Sequence, residues 1–137
     1  MTPRPFILSV LLISGTITAG LVLRGLPLGL PDAIVKYGGS ILWAGMIYWI
    51  VSTLRGDWWP GRNIVAATLI AFGIELSQLY HQPMLDAFRA TRGGALLLGR
   101  VFSVLDLTVY GLAIMLAAIG DRAMRRRMSG RSRNRCR

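Results

Sequence analysis

The chain has very few residues that build disulfides or metal sites. Among its 137 residues are one cysteine, one histidine and six acidic residues. The single cysteine, Cys136, excludes an internal disulfide and a zinc site made of several cysteines. His81 among scattered carboxylates is a weak signal for a metal, and hydrogen bonding at a membrane interface is the commoner role. We therefore predict no metal site and no cofactor.

Acidic residues are also too few to balance the basic ones. Sixteen Lys and Arg side chains give a net charge of +10, which in a soluble protein would raise the question of nucleic acid. Eight of the arginines, however, follow Asp121, directly after the last apolar segment. The positive-inside rule predicts a cytoplasmic anchor there, with attraction for anionic lipid. We predict a basic, disordered cytoplasmic tail over residues 121–137 and no nucleic-acid partner.

Long polar stretches are missing from the rest of the chain. Hydrophobic residues make up 53% of it, which places it outside the ordinary soluble class. Apolar segments cover residues 6–23, 37–54, 64–80 and about 104–119, each close to the roughly 17 to 25 residues that cross a bilayer. The first exceeds the usual apolar core of a cleaved signal peptide, so we expect it to be retained. The sequence thus predicts an all-α, four-span transmembrane helix bundle over residues 1–120.

The distribution of charge predicts an orientation for this bundle. With four spans and a cytoplasmic tail, both termini face the cytoplasm. Eleven basic residues then face inward and five face outward, in agreement with the positive-inside rule. The lipid bilayer is the first expected partner, and the oligomeric state is open.

The third loop, between His81 and Ser103, is long for a connection between helices. Residues 86–92 fit a short helix in which Asp86 reaches Arg89, and Gly93 and Gly94 are expected to end it. The apolar run 95–98 is too short to cross a bilayer. We predict that this long third loop is partly helical or re-entrant.

Polar residues interrupt the third and fourth apolar segments. Glu75 and Gln78 lie on one helical stripe, and Asp106 lies at a similar depth on the next segment. A carboxylate inside a span is by default a functional hypothesis, and a buried charge stays ionised best when it is paired. We expect Glu75 to meet Lys36 or an arginine of the third loop, Arg89 or Arg92.

Three interpretations of this polar cluster stay open. It is a pocket, facing outward, for an anionic amphiphile such as a lipid or a lipid-linked envelope headgroup. Alternatively, the protein is a membrane enzyme in which Glu75 or Asp106 acts as acid or base on a lipid-linked substrate, although no pattern in the chain identifies a nucleophile. In the third, the cluster is a purely structural salt-bridge network in a subunit of an envelope complex. A proton relay lacks a second carboxylate in the inner half of the bundle.

The binding interpretation is our leading one, because arginine suits bidentate recognition of phosphate or carboxylate. On this interpretation the protein is a binding protein rather than an enzyme. The candidate ligand-binding residues are Lys36, Glu75, Gln78, His81, Asp86, Arg89, Arg92, Arg100 and Asp106.

One stretch of the chain resembles a known family. The run from Ile74 to Arg92, followed by Phe102-Ser103 and Asp106-Leu107 and preceded by Lys36-Tyr37-Gly38, resembles the small bacterial inner-membrane proteins grouped as domain of unknown function 2809. The resemblance implies a four-span protein of the bacterial inner (plasma) membrane with no established activity.

A second, more distant resemblance involves some of the same residues. Glu75, Gln78, the run 99–102 and Asp106 look like the VanZ-like membrane proteins, some of which are associated with reduced teicoplanin susceptibility. Tyr110 stands where that wider pattern tends to carry asparagine.

Overall fold

The described part of the chain folds into six α-helices. The computed structural model describes residues 6–27, 29–55, 59–99 and 102–134, with the backbone alone for residues 92, 96 and 130–134. Every regular element in these ranges is an α-helix, which confirms the all-α prediction. In chain order they are α1 (Phe6–Gly25), α2 (Asp32–Leu54), α3 (Pro60–Ser77), α4 (Pro83–Ala90), α5 (Arg92–Leu98) and α6 (Val104–Asn134).

Three of these helices are long and apolar enough to cross a membrane, judged by length and composition. They are Phe6–Gly25, Asp32–Leu54 and the Val104–Ser129 part of α6. The prediction of four spans was therefore wrong. The missing one is α3, which has 18 residues, carries Arg62 and Asn63 in its first turn and ends soon after Glu75. These polar residues lower its mean hydropathy, although it packs against both α2 and α6.

Local sequence explains where the short helices of the third loop begin and end. Pro83 opens α4, where the missing N–H of proline costs nothing. The chain then turns at Thr91, whose side chain accepts a hydrogen bond from the Gly94 N–H at 3.0 Å and caps α5. We expected Gly93 and Gly94 to end a helix, but they lie in the first turn of the next one. The prediction of a partly helical third loop is correct.

The hydrogen bonds and contacts between helices give their directions. The end of α1 lies against the start of α2, because Arg24 contacts Gly39. Helices α2 and α6 run parallel, since Ser40 bonds to Asp106 and Ser52 to Asp121. Helix α3 runs antiparallel to α6. We call the end that carries α4 and α5 the loop end, and the opposite end, where Asp121 lies, the arginine end.

Small residues form much of the core between α2, α3 and α6. Ala44, Ala67 and Ala71 have no exposed surface, and Ile114 fills the space opposite them on α6. Alanines let helix backbones approach closely where lipid supplies no hydrophobic driving force. Helix α1 lies at the edge of the bundle and packs mainly on α2.

Helix α6 is longer than its apolar part. It continues to Asn134, whereas we expected a disordered tail from residue 121. The structure corrects that expectation for residues 121–134, and residues 135–137 lie outside the described part. The extension has a physical reason, because Asp121 and Arg125 are 0% and 2% exposed and pair with each other inside the bundle.

Candidate functional site

Glu75 lies at the loop end of the bundle and is 1% exposed. Its Oε1 accepts a hydrogen bond from the backbone N–H of Ser103 at 2.8 Å. Its Oε2 accepts from the Tyr110 hydroxyl at 2.9 Å and from Gln78 Nε2 at 3.2 Å. Three donors thus converge on this carboxylate of α3: one directly after α3, one in the segment before α6 and one in α6.

The partners of Glu75 differ from those that the sequence predicted. None of the ion pairs among the described residues includes Glu75, so the expected pair with Lys36 or Arg89 is absent, and the side chain of Arg92, the third expected partner, lies outside the description. Neutral donors take the place of cations. Because both carboxylate oxygens are already occupied and buried, Glu75 is poorly placed to exchange a proton with a substrate.

Asp106, the second predicted carboxylate, joins α6 to α2. Its Oδ1 accepts a hydrogen bond from Ser40 Oγ at 3.2 Å, and its Oδ2 lies 4.0 Å from Lys36 Nζ. The Lys36 side chain is 53% exposed, so this long contact is only partly shielded. The structure therefore brings Lys36, Asp106 and Glu75 to the same end of the bundle, with separate partners.

Arg89 serves the fold of the third loop. It is 4% exposed, and its guanidinium donates to the carbonyl oxygens of Ser77 at 2.6 Å and Tyr80 at 3.0 Å. Carbonyls at the end of a helix lack partners within it, so Arg89 satisfies the end of α3. The expected pair with Asp86 is confirmed at 3.3 Å. Arg89 therefore does not line the interior of the bundle.

The remaining predicted ligands lie apart from the carboxylates or outside the description. His81 is exposed and shares a wide surface depression with Asp86 and Arg89. Arg92 is described in backbone only, in the first turn of α5, and Arg100 lies outside the described residues. Among the described residues, no group of three His, Cys, Asp or Glu side chains could hold a metal ion.

A narrow cleft runs between α1 and α2. It has a volume of about 130 Å³ and is lined by Thr16, Ile17 and Gly20 of α1 and by Leu42, Trp43 and Met46 of α2. Almost all of its surface is therefore apolar. At the loop end, it is lined by Leu97 of α5 and by Arg24.

A small polar chamber lies next to the cleft, beneath α5. Its volume is about 30 Å³, which is enough to hold a small polar group such as a water molecule or a hydroxyl. Arg24, Trp43 and Leu97 line both spaces, and Ser40, Gln78 and Tyr110 complete the polar side of the chamber. The apolar cleft and the polar chamber thus meet at Arg24.

Arg24 is the site residue that sequence reasoning missed. No hydrogen bond or ion pair joins it to any residue that the structure describes. Its guanidinium rests on Gly39, where an added Cβ would lie 2.5 Å from Arg24 Nε. The sequence did hold a signal, since Arg24 is the only basic residue in the last turn of α1 and comes shortly before Lys36.

A second polar cluster, at the arginine end, was also missed as a unit. Asp121 Oδ1 accepts from Arg125 Nε at 3.0 Å, and Oδ2 accepts from the hydroxyls of Tyr48 and Ser52, both at 3.1 Å. Arg125 also donates to Ser52 Oγ at 3.1 Å. The spacing of four between Asp121 and Arg125 is visible in the sequence, but their partners on α2 depend on how the helices align.

Comparison with known proteins identifies a family. The family model described as "Protein of unknown function (DUF2809)" matches residues 29–114, which is more than half of the chain. The protein therefore belongs to this family, as the resemblance predicted. No solved structure matches the chain.

Proposed function

We propose that this is a multi-pass protein of the bacterial inner membrane that binds an amphiphile with an anionic headgroup. The observation that carries the proposal is the position of Arg24, at the junction of an apolar cleft and a polar chamber. An apolar chain in the cleft and an anionic group at Arg24 would satisfy both surfaces together. Lys36 adds a second cation on the neighbouring helix.

The proposal assigns the cationic contacts to Arg24 and Lys36 instead of the arginines of the third loop. Arg89 holds the end of α3 through its hydrogen bonds, whereas Arg24 has no partner among the described residues. Arginine binds phosphate and carboxylate through paired N–H donors, and such charge-assisted bonds contribute about 1.5 to 3 kcal/mol. Glu75 and Asp106 then have a supporting role, because their oxygens hold helices together.

The geometry favours binding over acid or base catalysis at Glu75. A catalytic carboxylate needs a lone pair or a proton within reach of the substrate. Both oxygens of Glu75 accept hydrogen bonds from the protein, and the residue is 1% exposed. The resemblance to VanZ-like proteins and a place in the cell envelope stay predictions.

We further propose that the arginine end faces the cytoplasm. Helix α6 carries Arg122, Arg125, Arg126 and Arg127 at this end, and the positive-inside rule favours the cytoplasmic side for such a cluster. Helix α1 begins at the same end, and α3, although shorter on apolar residues, returns the chain from the arginine end to the loop end, so both termini would be cytoplasmic. The cleft and the chamber would then lie toward the outer face of the membrane.

Lipid retention tests the proposed function. The purified protein is examined by native mass spectrometry after reconstitution with phosphatidylglycerol, and we expect bound lipid in the wild type. Arg24→Ala should lower the apparent affinity about 10-fold or more, because one charge-assisted contact is lost. Arg62→Ala is the matched control, since Arg62 is exposed in the first turn of α3, away from the cleft. Equal lipid retention by the two variants would refute the proposal.

A further inference from the structure

In the side-chain amide of Gln78, the NH2 group donates hydrogen bonds, whereas the oxygen accepts none from the described residues. The residue is 5% exposed, and its Nε2 donates to the Leu98 carbonyl at 2.7 Å and to Glu75 Oε2 at 3.2 Å. Both partners accept hydrogen bonds, which fixes the orientation of the amide. Its Oε1 is buried and receives no hydrogen bond from any described residue.

The unsatisfied oxygen belongs to a residue that lines the polar chamber. Gln78 shares this chamber with Arg24, Ser40 and Tyr110. A buried acceptor without a donor is unfavourable, and native structures rarely leave one without a reason. The chamber therefore offers a cation for an anionic group and, close by, an acceptor that lacks a donor.

Gly99 keeps the space around this amide free of another side chain. It follows α5 with a φ of 69°, in the left-handed region that favours glycine. A Cβ at this position would collide with Gln78 Nε2. The backbone and the amide thus lie closer together than any other residue would allow, and both Gly99 and Gln78 line the chamber.

We propose that the headgroup held at Arg24 carries a hydroxyl group that donates a hydrogen bond to Gln78 Oε1. The ligand class is then an anionic phospholipid with a hydroxyl next to its phosphodiester. A hydroxyl suits the neutral amide oxygen, whereas an ammonium group would lie near the Arg24 cation. This inference rests on the proposed function and specifies the headgroup.

Two lipids that differ in this hydroxyl test the proposal. Phosphatidylglycerol and phosphatidylmethanol, with the same acyl chains, both carry one negative charge, but only the first has headgroup hydroxyls. In nanodiscs of each composition, we expect the wild type to retain phosphatidylglycerol about 5- to 10-fold better, as one added hydrogen bond predicts. Gln78→Met should bind both lipids equally, at the level of phosphatidylmethanol on the wild type.

The outcomes separate this inference from the proposed function. If the wild type binds the two lipids equally while Arg24→Ala weakens both, the hydroxyl inference is overturned and the proposed function stands. That result would mean that Gln78 Oε1 binds water only. If Arg24→Ala has no effect on either lipid, the proposed function fails as well. Should Gln78→Met not fold, the comparison of the two lipids on the wild type still decides.

Discussion

Replacing Glu75 by glutamine should destabilise the bundle, although the two side chains have nearly the same shape. The carboxylate accepts three hydrogen bonds, and an amide offers only one oxygen. Placed toward Ser103, the new NH2 group meets a backbone N–H that cannot turn. Placed on the other side, it meets Gln78 Nε2, which stays bonded to Leu98. Either orientation leaves two donors facing each other.

The magnitude follows from these contacts. One bond to a charged acceptor is lost, worth about 1.5 to 3 kcal/mol, and the other two become bonds between neutral groups, each weaker by about 1 kcal/mol. Polar contacts in membrane proteins are worth less than this, because the unfolded chain in lipid also finds partners. We therefore expect Glu75→Gln to lower the free energy of unfolding by about 2 to 4 kcal/mol.

Unfolding in mixed micelles with increasing SDS, followed by circular dichroism, measures this change. Tyr110→Phe removes only one of the three donors and should cost less, about 1 to 2 kcal/mol. Asp32→Asn is the control, since Asp32 is exposed in the first turn of α2 and should change stability by less than about 1 kcal/mol. A Glu75→Gln variant as stable as the Asp32→Asn variant would refute the reasoning.

Three further predictions concern other parts of the molecule. Gly39→Ala should displace Arg24 and lower retention of phosphatidylglycerol in native mass spectrometry, whereas Gly45→Ala, with no atom within 4 Å of its added Cβ, should not. Asp121→Ala should lower the free energy of unfolding by about 3 kcal/mol in the SDS titration, because it breaks a buried ion pair. Cys136, the only thiol, should react with a membrane-impermeant maleimide in inverted vesicles and remain unlabelled in intact spheroplasts.

For each of these three predictions, one experimental result would contradict it. Equal lipid retention by the two glycine variants would mean that the place of Arg24 on Gly39 does not matter for binding. An Asp121→Ala variant with unchanged stability would contradict a structural role for the cluster at the arginine end. Labelling of Cys136 in intact spheroplasts would reverse the proposed orientation.

The sequence predicted the burial of polar residues better than it predicted their partners. Spacing along a helix placed Glu75 and Gln78 on one interior stripe, and both are buried. Charge suggested arginines as partners for Glu75, but the structure uses a phenol and a backbone N–H. A backbone donor leaves no trace in a pattern of residue types, and the bond from Tyr110 depends on the alignment of α3 with α6. Neither can be read from one helix alone.

At the arginine end, the sequence pattern predicted an exposed side chain where the structure has a buried one. Arg125 stands in a run of basic residues, which is typical of a solvated tail. Its neighbours Arg126 and Arg127 are exposed, but Arg125 lies one turn after Asp121 and is 2% exposed. Tyr48 and Ser52 on α2 add the hydroxyl groups that complete the cluster. Only the packing of α2 on α6 shows that Arg125 is buried while Arg126 and Arg127 are exposed.

The two polar clusters also limit what the protein can do. Asp121 supplies the second carboxylate that a proton relay across the bundle would need, contrary to the expectation from the sequence. From Tyr110 to Asp121, however, α6 rises about 16 Å through Ala113, Ile114 and Ala118, which are at most 4% exposed. They pack in one apolar cluster with Ala44, Ala67 and Ala71 of the neighbouring helices. A relay of protons needs hydrogen-bonding groups within reach of each other, so this apolar layer argues against conduction. The ligand that we propose at the cleft beside Arg24 requires no such relay.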